Sequence, residues 1–205
     1  MAASLRRLLA APEHSEDAER SAQARLFNVA TLTALAALVA AVAIQFALGQ
    51  AGVPMLITAA ALAATALMSA LARLGRLELA CALLPPLLLA ACITVGVIRD
   101  GLHDAAVMAL GAVLVMAGVL LQRRGLALFA AAALAAVLAV GYAEINGILH
   151  RRLSSYTDWR HVAGLCLFLL FIAVTVRTLM DSIVASLRDA QQKRAALAAS
   201  YARLE

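Results

Sequence analysis

The chain has 205 residues, 64% of them hydrophobic and 14% charged, with a formal net charge of +5 and a mean hydropathy of +0.92, against about 45–50% apolar and about 25% charged in an ordinary soluble domain. A soluble core of this size has no room for so many apolar side chains, so the solvent for the surplus is lipid. The positive charge does not mark a nucleic-acid binder: only 4% of the residues are aromatic and the basic side chains sit between apolar runs, where they report topology.

Residues 1–26 form a polar N-terminal segment with acids at Glu13, Glu16, Asp17 and Glu19, and Ser15 is placed to cap a short helix that runs into the first span. The apolar stretch after Arg6 and Arg7 is too short for a secretory signal. Six apolar runs follow at 27–48, 54–72, 79–98, 105–121, 126–143 and 162–180, each close to the 17–25 residues that cross a bilayer core. With the N-terminus inside, the cytoplasmic segments hold thirteen Lys and Arg and the external ones four, which is the asymmetry of cytoplasmic loops. The expected fold class is therefore all-α: a polytopic membrane protein with six transmembrane helices in 27–180 and both termini in the cytoplasm.

Between the spans, Arg73-Leu74-Gly75-Arg76 and Gln122-Arg123-Arg124-Gly125 are short and alike, which hints at a repeated helix pair, and frequent alanine permits close helix approach. Pro85 and Pro86 fall deep in the third span and free the carbonyls of Cys81 and Ala82, so a kink is expected there, a candidate hinge or, more plainly, a packing feature whose carbonyls neighbouring helices satisfy. Pro54 fits the first turn of the second span. Arg177, near the end of the sixth span, must snorkel.

From 181 to 205 the chain turns polar while apolar residues continue at heptad spacing. Met180 leads into Ile183, Leu187, Ala190, Arg194, Leu197, Tyr201 and Leu204 in alternating steps of three and four, the seam of a cytoplasmic coiled-coil helix that pairs with a second copy. Ala190 and Arg194 weaken that seam, which suits a two-state element; the plainer reading is a solvated amphipathic tail that lies on the bilayer or stays monomeric. Nothing caps the helix before Glu205, so it is expected to lead into a cytoplasmic output domain or partner.

The polar residues at the external ends of the spans form the candidate sensing site: Arg99, Asp100, His103, Asp104, Glu144 and Asn146, with Trp159 as an interfacial anchor. Gly101 and Gly147 allow tight turns there. The plainer reading of these residues is solvated turns and snorkelling ends. No histidine, cysteine or carboxylate pair has a diagnostic metal-ligand spacing, no phosphate-binding glycine loop or catalytic triad is present, and the three cysteines lie inside apolar runs, so no metal, cofactor, disulfide or catalytic residue is expected. The spans hold almost no ionisable side chain, which disfavours a proton relay or charged-substrate pathway.

Three stretches, Gly96-Val97-Ile98-Arg99-Asp100-Gly101, Gln122-Arg123-Arg124-Gly125 and Tyr142-Ala143-Glu144-Ile145-Asn146-Gly147, together with the helical exit from Leu187 to Glu205, resemble the N-terminal membrane input regions of bacterial sensor histidine kinases and related signalling proteins. The resemblance implies a sensor of a two-component system, in a bacterial inner membrane, that passes a stimulus through its last helix to an output domain. None of His14, His103, His150 and His161 follows the linker, so the family's phosphoacceptor has no counterpart and kinase activity is not implied for these residues. The alternatives are a small-solute transporter or channel, and a structural membrane protein that docks a partner through its C-terminal helix.

Overall fold

In a computed structural model the described residues are 18–49, 52–149 and 157–201; beyond Ser186 only the helical backbone is described. The expected cap at Ser15, and His14, His150 and Leu204, lie outside them. The described chain forms α1 (Ala18–Ala47), α2 (Val53–Arg73), α3 (Leu77–Ile98), a 3-10 turn (Gly101–His103), α4 (Ala105–Met108), α5 (Leu110–Leu120), α6 (Arg123–Ile145) and α7 (Trp159–Tyr201). Five segments are long and apolar enough to cross a membrane, Gln23–Ala47, Val53–Arg73, Leu77–Ile98, Arg123–Ile145 and Trp159–Ser186. This is the build of a multi-pass membrane protein.

Local sequence explains the helix ends. Pro54 occupies the first turn of α2, where its missing N–H costs nothing. Gly75, at φ +86°, closes α2: Arg76 N donates to Leu71 O at 3.1 Å and Gly75 N to Ala72 O at 3.1 Å, so the last carbonyls are satisfied. Gly147 repeats the device after α6, with Ile148 N on Ala143 O at 2.8 Å. Helix α3 runs through Pro85 and Pro86, the first buried and the second exposed.

The fourth apolar run does not form a full-length helix. Ala109 separates α4 from α5, although Ala109 N still donates to Ala105 O and Val113 N to Ala109 O, both at 3.1 Å. The combined segment Ala105–Leu120 is shorter than the other five, about 24 Å at 1.5 Å per residue against about 30 Å of hydrocarbon. Its brevity goes with its position. On α5, Leu110, Val113, Leu114, Met116, Ala117 and Leu120 are buried, because α5 packs against α1, α3, α6 and α7, and Ala112 and Val115 stay exposed.

In lipid there is little hydrophobic drive to bring apolar helices together, so close van der Waals packing has to do it. Glycines provide that closeness along α7. A Cβ on Gly118 would lie 2.1 Å from Val176 Cγ1, one on Gly111 2.9 Å from Ile172 Cδ1, and one on Gly141 of α6 2.6 Å from Val162 Cγ2. Helix α7 is thus seated in glycine-lined grooves of α5 and α6 through the apolar part of the molecule. Its opposite face, and most of α1, is exposed apolar surface of the kind that meets lipid.

Candidate functional site: a buried carboxylate cluster at one end

At the end of the bundle where α3 and α6 stop and α4 and α7 begin, two carboxylates are buried, Glu144 at 3% and Asp104 at 5% exposed. Each has found partners, as burial of an acid requires. Glu144 projects from the last turn of α6. Its Oε1 accepts from the backbone N of Leu102 at 2.8 Å, and its Oε2 accepts from the Thr157 hydroxyl at 2.8 Å. One side chain thereby joins the end of α6, the 3-10 turn and the residues leading into α7. The short α4–α5 unit leaves a turn of irregular backbone beside apolar helices, and Glu144 satisfies a donor there that lipid would not.

The Thr157 hydroxyl has a single proton, given to Glu144, so towards His103 it acts as acceptor. His103 Nε2, 3.2 Å away, is therefore the donor. The His103 ring meets His161 of the first turn of α7 edge-on, with ring centroids 5.4 Å apart. Asp104 does two jobs. Its Oδ1 accepts from Ala106 N at 2.7 Å, capping α4, and its Oδ2 lies 3.5 Å from Arg99 Nε.

Gly101 makes the arrangement possible. It sits at φ +66°, and a Cβ there would fall 1.6 Å from Glu144 Oε1. A side chain would be strained by the backbone and would displace the carboxylate.

The structure brings together Arg99, His103, Asp104 and Glu144 of the sequence-predicted site. It leaves the rest at the edge. Asn146 is exposed and its Nδ2 donates to Tyr142 O at 2.7 Å. Asp100 is half-buried and its carbonyl accepts from His103 N at 3.4 Å. Trp159 is exposed, and its backbone N donates to Asp158 Oδ1 at 2.6 Å. Sequence reasoning missed Thr157, which carries no motif, and the Leu102 N–H, which no sequence signal reveals.

A second polar contact lies between α1 and α2. Gln45 Nε2 donates to Thr58 Oγ1 at 3.3 Å and Thr58 in turn donates to Pro54 O at 2.9 Å, while the buried Gln45 Oε1 has no partner among the described residues. At the far end of the sixth run, Arg177 pairs with Asp181 one turn on. Among the described residues no three His, Cys, Asp or Glu side chains converge to hold a metal ion.

No family model, curated protein or solved structure matches this chain.

Proposed function

We propose that the chain is a membrane sensory or signal-transducing module, the input region of a bacterial sensor histidine kinase or a related signalling protein. In this reading it crosses the inner membrane six times, the segment Ala105–Leu120 making the fourth crossing within the shelter of its neighbours. Both termini are cytoplasmic, and the Glu144 cluster faces outward.

The observation that carries the reading is α7. It is a single helix of 43 residues from Trp159 to Tyr201, about 65 Å long, and the apolar run in the sequence accounts for it only as far as Met180. Its first turn adjoins the Glu144 cluster through Thr157 and His161. Its far end lies beyond the bundle. A rigid element that starts at a buried polar cluster and ends outside lipid is suited to carry a displacement from one to the other. The polar cluster supplies the stimulus-sensitive contact, the glycine seats guide the helix, Pro85 and Pro86 offer a hinge in α3, and the seam from Ile183 to Leu204 reads out the movement as a change in pairing with a second copy.

The test is to fuse residues 1–205 to a dimer-dependent reporter and to insert one to seven residues after Asp181. Output is expected to fall and recover with a seven-residue period. An output indifferent to insertion length contradicts the proposal. The docking alternative shares the tail helix but predicts stable co-purification of a partner and an output unaffected by changes at Glu144.

A further inference from the structure

Two imidazoles meet where the 3-10 turn adjoins the start of α7. His103 is half-buried and His161 exposed, with ring centroids 5.4 Å apart and planes inclined at 66°. In this edge-on contact the positive rim of one ring meets the negative face of the other, an attraction that survives one added charge but not two. Histidine is the side chain that ordinarily changes charge between about pH 5 and pH 8. The fold sets two of them against each other from different segments, one of them open to water. Paired imidazoles also suit metal ligation, but among the described residues no third His, Cys, Asp or Glu joins them, which leaves protonation as the chemistry of the pair.

The charges around the two rings differ. His103 Nε2 donates to Thr157 Oγ1 at 3.2 Å and Thr157 donates to Glu144 Oε2 at 2.8 Å. A proton added at His103 Nδ1 leaves that chain of donors intact and gives it a charged head directed at a buried carboxylate. On the same turn, Asp104 is already engaged by Ala106 N and by Arg99 of the α3 end, and Asp100 is half-buried. Around His161, exposed Asp158 accepts from Trp159 N through Oδ1 and lies 4.0 Å from Arg160 Nε through Oδ2. His161 also belongs to the first turn of α7, where the unsatisfied N–H groups of a helix present positive potential. His103 therefore has a carboxylate to balance a charge, whereas His161 has a cationic neighbour and a helix N-terminus. His150, Arg151 and Arg152 lie outside the described residues.

Protonation thus acts in two stages. One proton, on His103, tightens its hold on Thr157. A second, on His161, places two cations 5.4 Å apart at a site where protein displaces much of the screening water, and they repel. His103 is tied back, since the neighbouring Leu102 N is fixed to Glu144 Oε1 at 2.8 Å. The His161 side chain makes no hydrogen bond among the described residues, so the repulsion falls on α7. The next residue, Val162, is packed against Gly141 as the first contact of α7 in its glycine seats. Drawn in at Thr157 and pushed out at His161, the start of α7 is levered at the edge of its own packing.

We propose that the His103 and His161 pair is a proton sensor: acidification on its side of the membrane charges both rings and drives the first turn of α7 away from the 3-10 turn. The inference rests on the signalling reading above and names its stimulus, a proton in place of an organic ligand. Glutamine at either position keeps a side-chain N–H but carries no charge, so His103→Gln retains a donor for Thr157 while removing the switch.

The experiment uses the full chain in phospholipid nanodiscs, titrated from about pH 8 to about pH 5, the range of ordinary histidine. Cys81, Cys92 and Cys166 are replaced by alanine, and spin labels are attached at Asn146→Cys and Ala163→Cys, both exposed, with unlabelled chain in excess so that only the distance within one copy is read. Trp159, the one tryptophan of the chain, is two residues from His161 and follows its protonation by emission. The expected result is a distance that lengthens by about 2 Å on acidification, together with the change in emission, and a distance that stays constant in His161→Gln and in His103→Gln. His161 is exposed, so its variant keeps the packed interior and decides the matter even where His103→Gln folds poorly. A constant distance in the parent chain overturns the proposal, as does a lengthening that persists in His161→Gln. Emission that titrates while the distance stays fixed means that the His161 ring swings alone, which also overturns it. None of these outcomes touches the insertion test after Asp181, so the signalling reading stands or falls separately; a switch that works in a chain whose output ignores heptad phase keeps the sensor and removes that reading.

Discussion

At the Arg76 end of the bundle the helices stop in short exposed turns, Arg73 to Arg76 and Gln122 to Arg124, whose side chains meet solvent. The Glu144 end stops differently, with two carboxylates withdrawn from solvent and shared among several chain segments. The contrast is clearest in two glycines of similar backbone geometry, Gly75 at φ +86° and Gly101 at φ +66°. Around Gly75 a Cβ would meet nothing within 4 Å, whereas at Gly101 it would strike Glu144. One end is a set of exposed turns. The other is a network, in which Glu144, Thr157, His103 and His161 join the end of α6 and the 3-10 turn to the start of α7.

The substitution expected to do most damage is Gly101→Ala. It adds backbone strain of about 1–3 kcal/mol to the loss of a buried charge-assisted hydrogen bond of about 1.5–3 kcal/mol. Unfolding in detergent, followed by circular dichroism, should show a stability loss of about 3–5 kcal/mol, and a loss below about 1 kcal/mol would dissolve the contrast. Next comes Glu144→Ala, which strands the Leu102 N–H and the Thr157 hydroxyl and should cost about 2–4 kcal/mol. Glu144→Gln retains one acceptor and should cost less, and if the two variants behave alike the carboxylate is not holding two donors at once.

The glycine seats belong to neither end, and they sharpen the comparison by testing rigidity between them. Gly118→Ala overpacks against Val176 and should cost about 1–3 kcal/mol. Val176→Ala in the same chain should return part of it, and a double-mutant cycle with no coupling would show that the two do not meet. At the Arg76 end, Gly75→Ala meets only the left-handed backbone penalty of about 1 kcal/mol. Smallest of all, Arg76→Gln with Arg124→Gln, both exposed, should change stability by no more than about 0.5 kcal/mol, while reporter fusions at 75 detect any loss of the proposed orientation.

Much of this architecture is legible in the residues because lipid imposes simple lengths. The runs at 27–48, 54–72, 79–98, 126–143 and 162–180 coincide with the five long apolar helices, and Pro54, Gly75 and Gly147 mark helix boundaries by their own backbone preferences. The run at 105–121 is apolar from end to end, and hydropathy does not distinguish a helix that faces lipid from one enclosed by protein. Its shortness and central place emerge only from packing. The candidate site divides in the same manner. Arg99, His103, Asp104 and Glu144 stand out as charges at span ends, but their partners are a backbone N–H and the hydroxyl of Thr157, supplied by tertiary folding. Asn146 and Trp159 share the same proximity in sequence and are exposed, since proximity along the chain does not decide which way a helix end turns a side chain. The glycines at 111, 118 and 141 belong to the small-residue pattern of the spans, yet which helix each one receives depends on the fold.

The central claim is that α7 mechanically joins the Glu144 cluster to the tail. It is tested most directly by comparing oxidative crosslinking rates at cysteines placed one by one from 183 to 204, in the parent chain and in Thr157→Ala. The account predicts a seven-residue rhythm in both, with the rates at the seam positions altered by a change made more than 25 residues away. Identical rates in the two chains, alongside a measurable local loosening at Thr157, would show that the cluster and the tail are uncoupled.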